Sequence, residues 1–425
     1  MTTLALLGGT PAVTAPLKSY RTMGAEEEAA VARVMKGGVL SAFLGAWSDD
    51  FRGGPEIKAF EAQWAAVFRA KHAISVNSAT SGLIACMGAV GISPGDEVIV
   101  PPTTMSATAI APLFYGAIPV FADIEADGFC LDVEKVAEAI TPRTRAIIAV
   151  NLFGQPANLT ALRALADRHG LYLIEDNAQA PMAMHAGRFA GTIGHIGVFS
   201  LNYHKHVHTG EGGVCTTDDT KLADRLAMIR NHAENVAEKL GEGDYVNLIG
   251  HNFRMTELAA AIGCEQLKKA PRLVEGRVKI AEALTKGVAG LDGITAPSVR
   301  PDTTHVYYVW AGKYDAAKLG VSREAFARAL NAEGVPTTTG YVRPLYLLPL
   351  FQKRVAIGRD GFPFNLTNRT YQKGLCPVAE RMHESELFYY LVCSYDADDA
   401  QVGQIVDAFH KVYENRAQLR DVASN

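Results

Sequence analysis

Between residues 73 and 217, short and almost uninterrupted apolar runs alternate with segments of helical spacing, and this alternation most restricts the fold. The runs are Ala73 to Val76, Glu97 to Val100, Ile118 to Ala122, Ala146 to Asn151, Leu171 to Glu175, Ile196 to Leu201 and Val214 to Thr216. Between them lie helical stretches at Ser81 to Val90, Thr108 to Tyr115, Val133 to Ile140 (with Asp132 placed to cap it) and Leu159 to Arg168. Strands without polar alternation are strands buried on both faces, so the pattern predicts an α/β fold with a mainly parallel, mixed sheet between helices. Ligands of such sheets sit at the carboxyl ends of the strands.

After Arg254 the pattern changes. A long helix is expected from Glu257 to about Gly287, then a strand at Tyr307 to Ala311, a helix at Arg323 to Glu333 and a closing helix at Ala400 to Arg416. These pieces predict a smaller C-terminal α+β domain. The boundary is set within the long helix, giving a large domain over 1–275 with an N-terminal arm over 1–25, and a small domain over 276–425.

Two of the predicted strand ends carry chemistry. Leu171-Tyr-Leu-Ile-Glu-Asp176-Asn-Ala-Gln179 ends a strand in a carboxylate with an amide three residues on. Phe199-Ser200-Leu-Asn-Tyr-His-Lys205-His-Val-His-Thr-Gly-Glu-Gly-Gly213 ends the next in a polar loop with one lysine. An acid that keeps a pyridine nitrogen protonated, beside a lysine that supplies a Schiff-base amine, is what pyridoxal phosphate (PLP) requires. Its phosphate needs N–H groups and hydroxyls, preferably at a helix N-terminus. Asn77-Ser-Ala-Thr80-Ser81-Gly82 offers three hydroxyls between a strand and a helix. Such joints usually serve only as N-caps; in series with Asp176, Gln179, Ser200 and Lys205 this one reads as a phosphate site.

The motifs Thr80-Ser81, Glu175-Asp176-x-x-Gln179, Ser200-x-x-x-x-Lys205, Thr209-Gly-Glu-Gly-Gly213 and Asn252-Phe-Arg254-Met-x-Glu257 together resemble the DegT-type sugar aminotransferases, PLP enzymes of the aspartate-aminotransferase fold. The resemblance covers nearly the whole chain, from Gly8-Gly9-Thr10-Pro11 through Gly53-Gly54-Pro55-Glu56 and Phe153-Gly154-Gln155-Pro156. It implies that Lys205 binds the coenzyme as a Schiff base and shuttles the proton once freed, that Asp176 pairs with the pyridinium, and that Gln179 meets the phenolic oxygen. It implies that Ser200, Thr80 and Ser81 hold the phosphate, and that Asn252 reaches it from the other subunit of a homodimer with shared active sites. Relatives place an aromatic where Met105 stands; a thioether can pack against the ring in its place. The usual small-domain histidine is missing too, leaving Gly340-Tyr341-Val342-Arg343 to shape the sugar pocket.

The implied reaction moves an amino group from glutamate or glutamine, through the pyridoxamine form, to a keto or aldehyde sugar, in sugar biosynthesis of the lipopolysaccharide kind. The His204-x-His206-x-His208 variant of the lysine loop resembles the branch that aminates C8 of an eight-carbon keto-acid sugar. Two of these histidines are expected to be packing residues, and a metal is not expected, since a lysine sits among them without a carboxylate. Arg254 either pairs with Glu257 across a helical turn or meets a ligand anion; Arg230-Asn231-His232 is expected to be structural. The alternatives are a dehydratase of the same family, whose members carry histidine in place of the lysine, and a non-catalytic regulatory member.

Composition excludes other classes. A hydrophobic fraction of 48%, a charged fraction of 20% and a net charge of -4 fit an ordinary globular protein and give no basis for nucleic-acid binding. No apolar run reaches the length of a membrane span. Six scattered cysteines without metal spacing read as buried free thiols, so a cytoplasmic enzyme is expected.

Overall fold

Seven strands form the central sheet of the computed structural model, which describes residues 2–420 and 422. In chain order they are β1 (His72–Val76), β2 (Glu97–Val100), β3 (Ile118–Phe121), β4 (Thr144–Val150), β5 (Tyr172–Asp176), β6 (Ile196–Ser200) and β7 (Gly213–Thr217). Their spatial order is β1-β7-β6-β5-β4-β2-β3, and only β7 runs antiparallel to its neighbours. β2, β3 and β7 are buried along their whole length, which is why these strands show no polar alternation.

Register decides where the ends meet. Asp176 lies beside Val150 on one side and Val198 on the other, while Gly213 lies between Ser200 and Val76. The carboxyl ends of β1, β4, β5 and β6 and the start of β7 therefore share one edge. Gly213 is required there, since a Cβ would stand 2.7 Å from the backbone of Ser78 and Ala79.

Helices form where expected, at Ala79–Ala89, Val133–Ala139, Leu159–His169, Glu257–Val288, Arg323–Ala332 and Asp399–Glu414. Asp132 caps the second through the amides of Glu134 and Lys135. The stretch expected as one helix from Thr108 is instead a short α-turn, Ala107–Ile110, followed by a 3-10 turn, Ala111–Tyr115. Pro112 has no N–H to continue the ladder.

The second sheet holds β8 (Ile294–Thr295), β9 (Trp310–Tyr314), β10 (Thr337–Thr339) and β11 (Leu387–Tyr390), all antiparallel in the order β8-β9-β11-β10. The strand expected from Tyr307 starts only at Trp310. Residues 306–309 are tied instead to the first sheet's loops, through Val306 N–H to the Gly154 carbonyl and Val309 N–H to the Phe153 carbonyl. Gly154, at φ +103°, lets that backbone pass; a Cβ there would stand 2.7 Å from the Tyr307 nitrogen.

Leu4 and Val13 pack in the core built by residues 280–419, and the amides of Ala5 and Ala12 donate to the buried Glu333 carboxylate. The start of the chain is thus bound to the second sheet's core. The six cysteines are buried free thiols. Among the described residues no helix is long and apolar enough to cross a membrane.

Candidate active site

Asp176 is the last residue of β5 and is 4% exposed. Its Oδ2 accepts from Thr108 Oγ1 at 2.7 Å and its Oδ1 from the Ala178 amide at 3.2 Å. Burial pushes its pKa up, against the pull of these two bonds and of the Lys205 charge. Lys205 stands in the loop after β6, 7% exposed, with its amide donating to the Asn202 carbonyl. Its Nζ lies 4.3 Å from the centroid of the Tyr308 ring. Burial drives the amine down to about 8, and Asp176 opposes that fall. Both side chains line a cavity of about 310 Å³.

The other walls follow from the shared strand edge. Ser78, Ala79 and Thr80, at the start of the Ala79–Ala89 helix, face the cavity together with Ser200 and Gly212. The first N–H groups of a helix lack intrahelical partners, and the dipole favours an anion there. Ser78 caps the helix by accepting from the Ser81 amide at 3.1 Å. Ser81 itself turns inward and donates to Asn77 Oδ1 at 2.6 Å, and it does not line the cavity.

Gln179 is held at both ends. Its Oε1 accepts from the Phe153 amide at 2.8 Å, and its Nε2 donates to the Tyr341 hydroxyl at 2.9 Å. Tyr341, at φ 56°, enters the cavity from the turn after β10. Burial pushes its hydroxyl up to about 12, so it stays protonated. Met105 lines the mouth and is 64% exposed. Asn252 is exposed, accepts from Arg254 Nε at 2.8 Å, and does not line the cavity of its own chain.

The three histidines separate. His204 lines the cavity, and burial together with the Lys205 charge lowers it to about 4, so it is neutral at neutral pH. His206 is fully buried, with Nε2 2.7 Å from the Val306 carbonyl oxygen. His208 accepts from the Gly210 amide within its own loop. Among the described residues no side-chain group could hold a metal ion. Arg254 does not pair with Glu257. It binds Asn252 and Asn231, because Glu257 is taken by the amides of Gly54 and Glu56 at the start of the Pro55–Phe68 helix. Arg230 is fully buried against Glu61 and the Ser75 carbonyl, a structural role.

Sequence reasoning missed Thr108 as the partner of Asp176 and Tyr308 as a cavity group, whereas Tyr341 lies in the segment it assigned to the pocket. Thr108 had a signal, since it follows closely on β2. Tyr308 had none, because a left-handed residue, Tyr307 at φ 50°, aims it. The donor set fits PLP: a carboxylate at one end, a helix N-terminus with hydroxyls, an amine between, and an amide whose NH2 faces inward.

A model of the DegT/DnrJ/EryC1/StrS aminotransferase family matches residues 26–392. The spore coat polysaccharide biosynthesis protein SpsC of Bacillus subtilis is 35% identical over 84% of this chain and 92% of its own. An L-glutamine:2-deoxy-scyllo-inosose aminotransferase of Streptoalloteichus tenebrarius is 32% identical over 98% of this chain and 99% of its own. The structure of S. venezuelae DesV, solved in complex with a ketimine intermediate, superimposes with a TM-score of 0.78 at 33% identity, covering 92% of this chain and 95% of that one.

Proposed function

The chain belongs to the DegT/DnrJ/EryC1/StrS aminotransferase family, as a PLP-dependent sugar aminotransferase, and from that premise we propose that it takes the amino group from glutamate or glutamine and delivers it to a keto or aldehyde carbon of a sugar. The observation that carries this reading is the convergence of Lys205 and Asp176 on one buried cavity that also receives a helix N-terminus. When bound, PLP supplies an electron-accepting ring and an aldehyde carbon able to carry nitrogen between donor and acceptor.

The roles of the chain's own groups follow from their surroundings. Asp176, already holding two donors, would accept a third from the ring nitrogen and keep that nitrogen protonated. Lys205 would hold the aldehyde carbon through its amine and, when free, is placed to carry a proton for the substrate's amine-bearing carbon. An amine lowered to about 8 is poised for this near neutral pH. Gln179 offers its inward NH2 to the phenolic oxygen. Ser78, Thr80 and Ser200 bind the phosphate. Ser81 supports that site through the cap, and Met105 packs against the ring from the mouth. Lys205 favours amino transfer over the dehydratase chemistry of relatives that carry histidine there.

The finer substrate proposal is C8 of an eight-carbon keto-acid sugar, resting on the His204-x-His206-x-His208 surroundings of the lysine. Asn252, exposed and outside its own cavity, is proposed to complete the partner's phosphate site in a homodimer. The domain boundary is proposed near residue 275, within the Glu257–Val288 helix, giving a large domain over 1–275 with its N-terminal arm and a small domain over 276–425. Met1, Asp421 and residues 423–425 lie outside the described residues.

Transfer of labelled nitrogen from glutamate or glutamine to a panel of keto and aldehyde sugars, read by mass spectrometry, tests the reaction. Labelled amino sugar is expected, and an enzyme loaded with PLP that moves no label to any of them contradicts the reading. Mixing inactive Lys205→Ala and Asn252→Ala chains tests the shared site. Activity should return in verified heterodimers; none returning sinks the proposed contribution of Asn252.

A further inference from the structure

Lys205 occupies an unusual setting for a buried ammonium. Among the described residues its Nζ makes no ion pair, and its close neighbour is the face of Tyr308 at 4.3 Å from the ring centroid. A buried charge without a contacting counter-ion needs another source of stabilisation. The negative face of an aromatic ring supplies one, most strongly where water is excluded. Tyr308 is 9% exposed and is fixed from both sides. The Val306 and Val309 amides bind the backbone of residues 153 and 154, and the His206 imidazole holds the Val306 carbonyl. The ring is thus set by the joint between the two sheets together with His206 of the lysine loop.

We propose that the face of Tyr308 is a positioning surface that holds the Lys205 ammonium inside the cavity whenever the amine is not bonded to the coenzyme. The inference rests on the reading that Lys205 carries the coenzyme, and it deepens that reading. Each half-reaction frees the amine and later needs it back at the same carbon. A flexible four-carbon stem without an anchor would lose that alignment, whereas a ring face holds the charge without the strong bond of a carboxylate. Tyr308 favours the charged amine, so removing the ring lowers the amine's pKa. The other groups facing it are Asp176 from β5, His204 and His206 from its own loop, Tyr341 from the turn after β10 and Cys393 beyond β11. Of these, the His204 and His206 rings lie 6.0 and 6.4 Å from the Tyr308 ring, so the variants that keep the ring's shape are the stricter comparison.

The test reads the amine directly. The full chain is stripped of coenzyme, its fold is checked by circular dichroism, and the pH dependence of amine acylation at Lys205 is followed by peptide mass spectrometry. Tyr308→Phe should leave the midpoint in place, and Tyr308→Leu should lower it by about one pH unit, roughly tenfold in the protonation constant. Should the leucine variant not fold, phenylalanines of rising fluorine content at 308 keep the shape and weaken the face, and the midpoint should fall stepwise. A midpoint unmoved by fluorination or by leucine overturns the proposal, as does a fall in Tyr308→Phe equal to that in Tyr308→Leu. Failure of the aminotransferase reading would appear separately, as a wild-type protein that moves no nitrogen while the midpoints still shift.

Discussion

Two buried carboxylates on the same sheet stand at opposite ends of their strands and are treated in opposite ways. Glu97 opens β2 and is fully buried, yet it accepts from Arg369 Nε and Nη2 at 2.8 and 2.9 Å, Arg143 Nη2 at 2.7 Å and Thr141 Oγ1 at 2.7 Å. Burial pushes its pKa up, but these bonds and the two guanidinium charges outweigh that, and the net shift is downward. Asp176 closes β5 with one hydroxyl and one amide, and its net shift is upward. The amino-terminal edge is an electrostatic clamp complete in itself. The carboxyl-terminal edge holds a charge whose compensation is unfinished, which is the condition a cationic ring nitrogen relieves.

The largest expected effect is at the open edge. Lys205→Ala should abolish amino transfer while leaving the thermal transition close to wild type; turnover near the wild-type rate would break the assignment. Asp176→Asn should lower kcat by orders of magnitude, because the amide cannot keep the ring nitrogen protonated. The coenzyme-free variant should also be at least as stable as wild type, since an under-compensated charge is gone. Unchanged turnover would remove Asp176 from the mechanism.

At the closed edge the signs reverse. Glu97→Gln should leave kcat within about twofold of wild type and cost roughly 2 kcal/mol of stability in urea unfolding. That is less than the about 3–5 kcal/mol for a fully buried pair, because both guanidiniums reach water. The pH dependence sharpens the contrast. Glu97, lowered in the fold, stabilises above its unfolded pKa, and that contribution is lost as pH falls through the folded value. Asp176, raised in the fold, contributes stability below its unfolded pKa that is lost as pH rises through the folded value. Unfolding of the coenzyme-free protein across the acid range should show Glu97→Gln removing the first dependence and Asp176→Asn the second. Identical pH profiles for the two variants would erase the distinction between the edges.

A smaller effect is expected at Thr108→Val, which removes one hydrogen bond to a charged group. Losing about 1.5 kcal/mol corresponds to roughly tenfold in kcat/KM. No change would mean that Thr108 does not orient the carboxylate.

The open edge was more legible in the sequence than the closed one. Asp176, Gln179, Ser200 and Lys205 follow apolar strands within a few residues, so local pattern locates them. The Glu97 clamp joins residues 46 and 272 positions apart along the chain, and nothing local announces Arg369. The same limit hid Tyr308, since a strand reading of Tyr307 to Ala311 follows β-propensity, whereas hydrogen bonds to residues 153 and 154 hold that stretch outside the sheet. Ser81 shows the converse: a hydroxyl in a phosphate-like motif can be consumed by a local bond to Asn77, leaving its neighbours Ser78 and Thr80 to face the cavity.

Borohydride reduction of the PLP-loaded protein, followed by peptide mapping, tests the central claim most directly. The reduced coenzyme should be found covalently attached to the peptide that contains Lys205, and Asp176→Asn should leave that attachment in place while turnover falls. Attachment at another lysine, or none in protein shown to bind the coenzyme, would contradict the account.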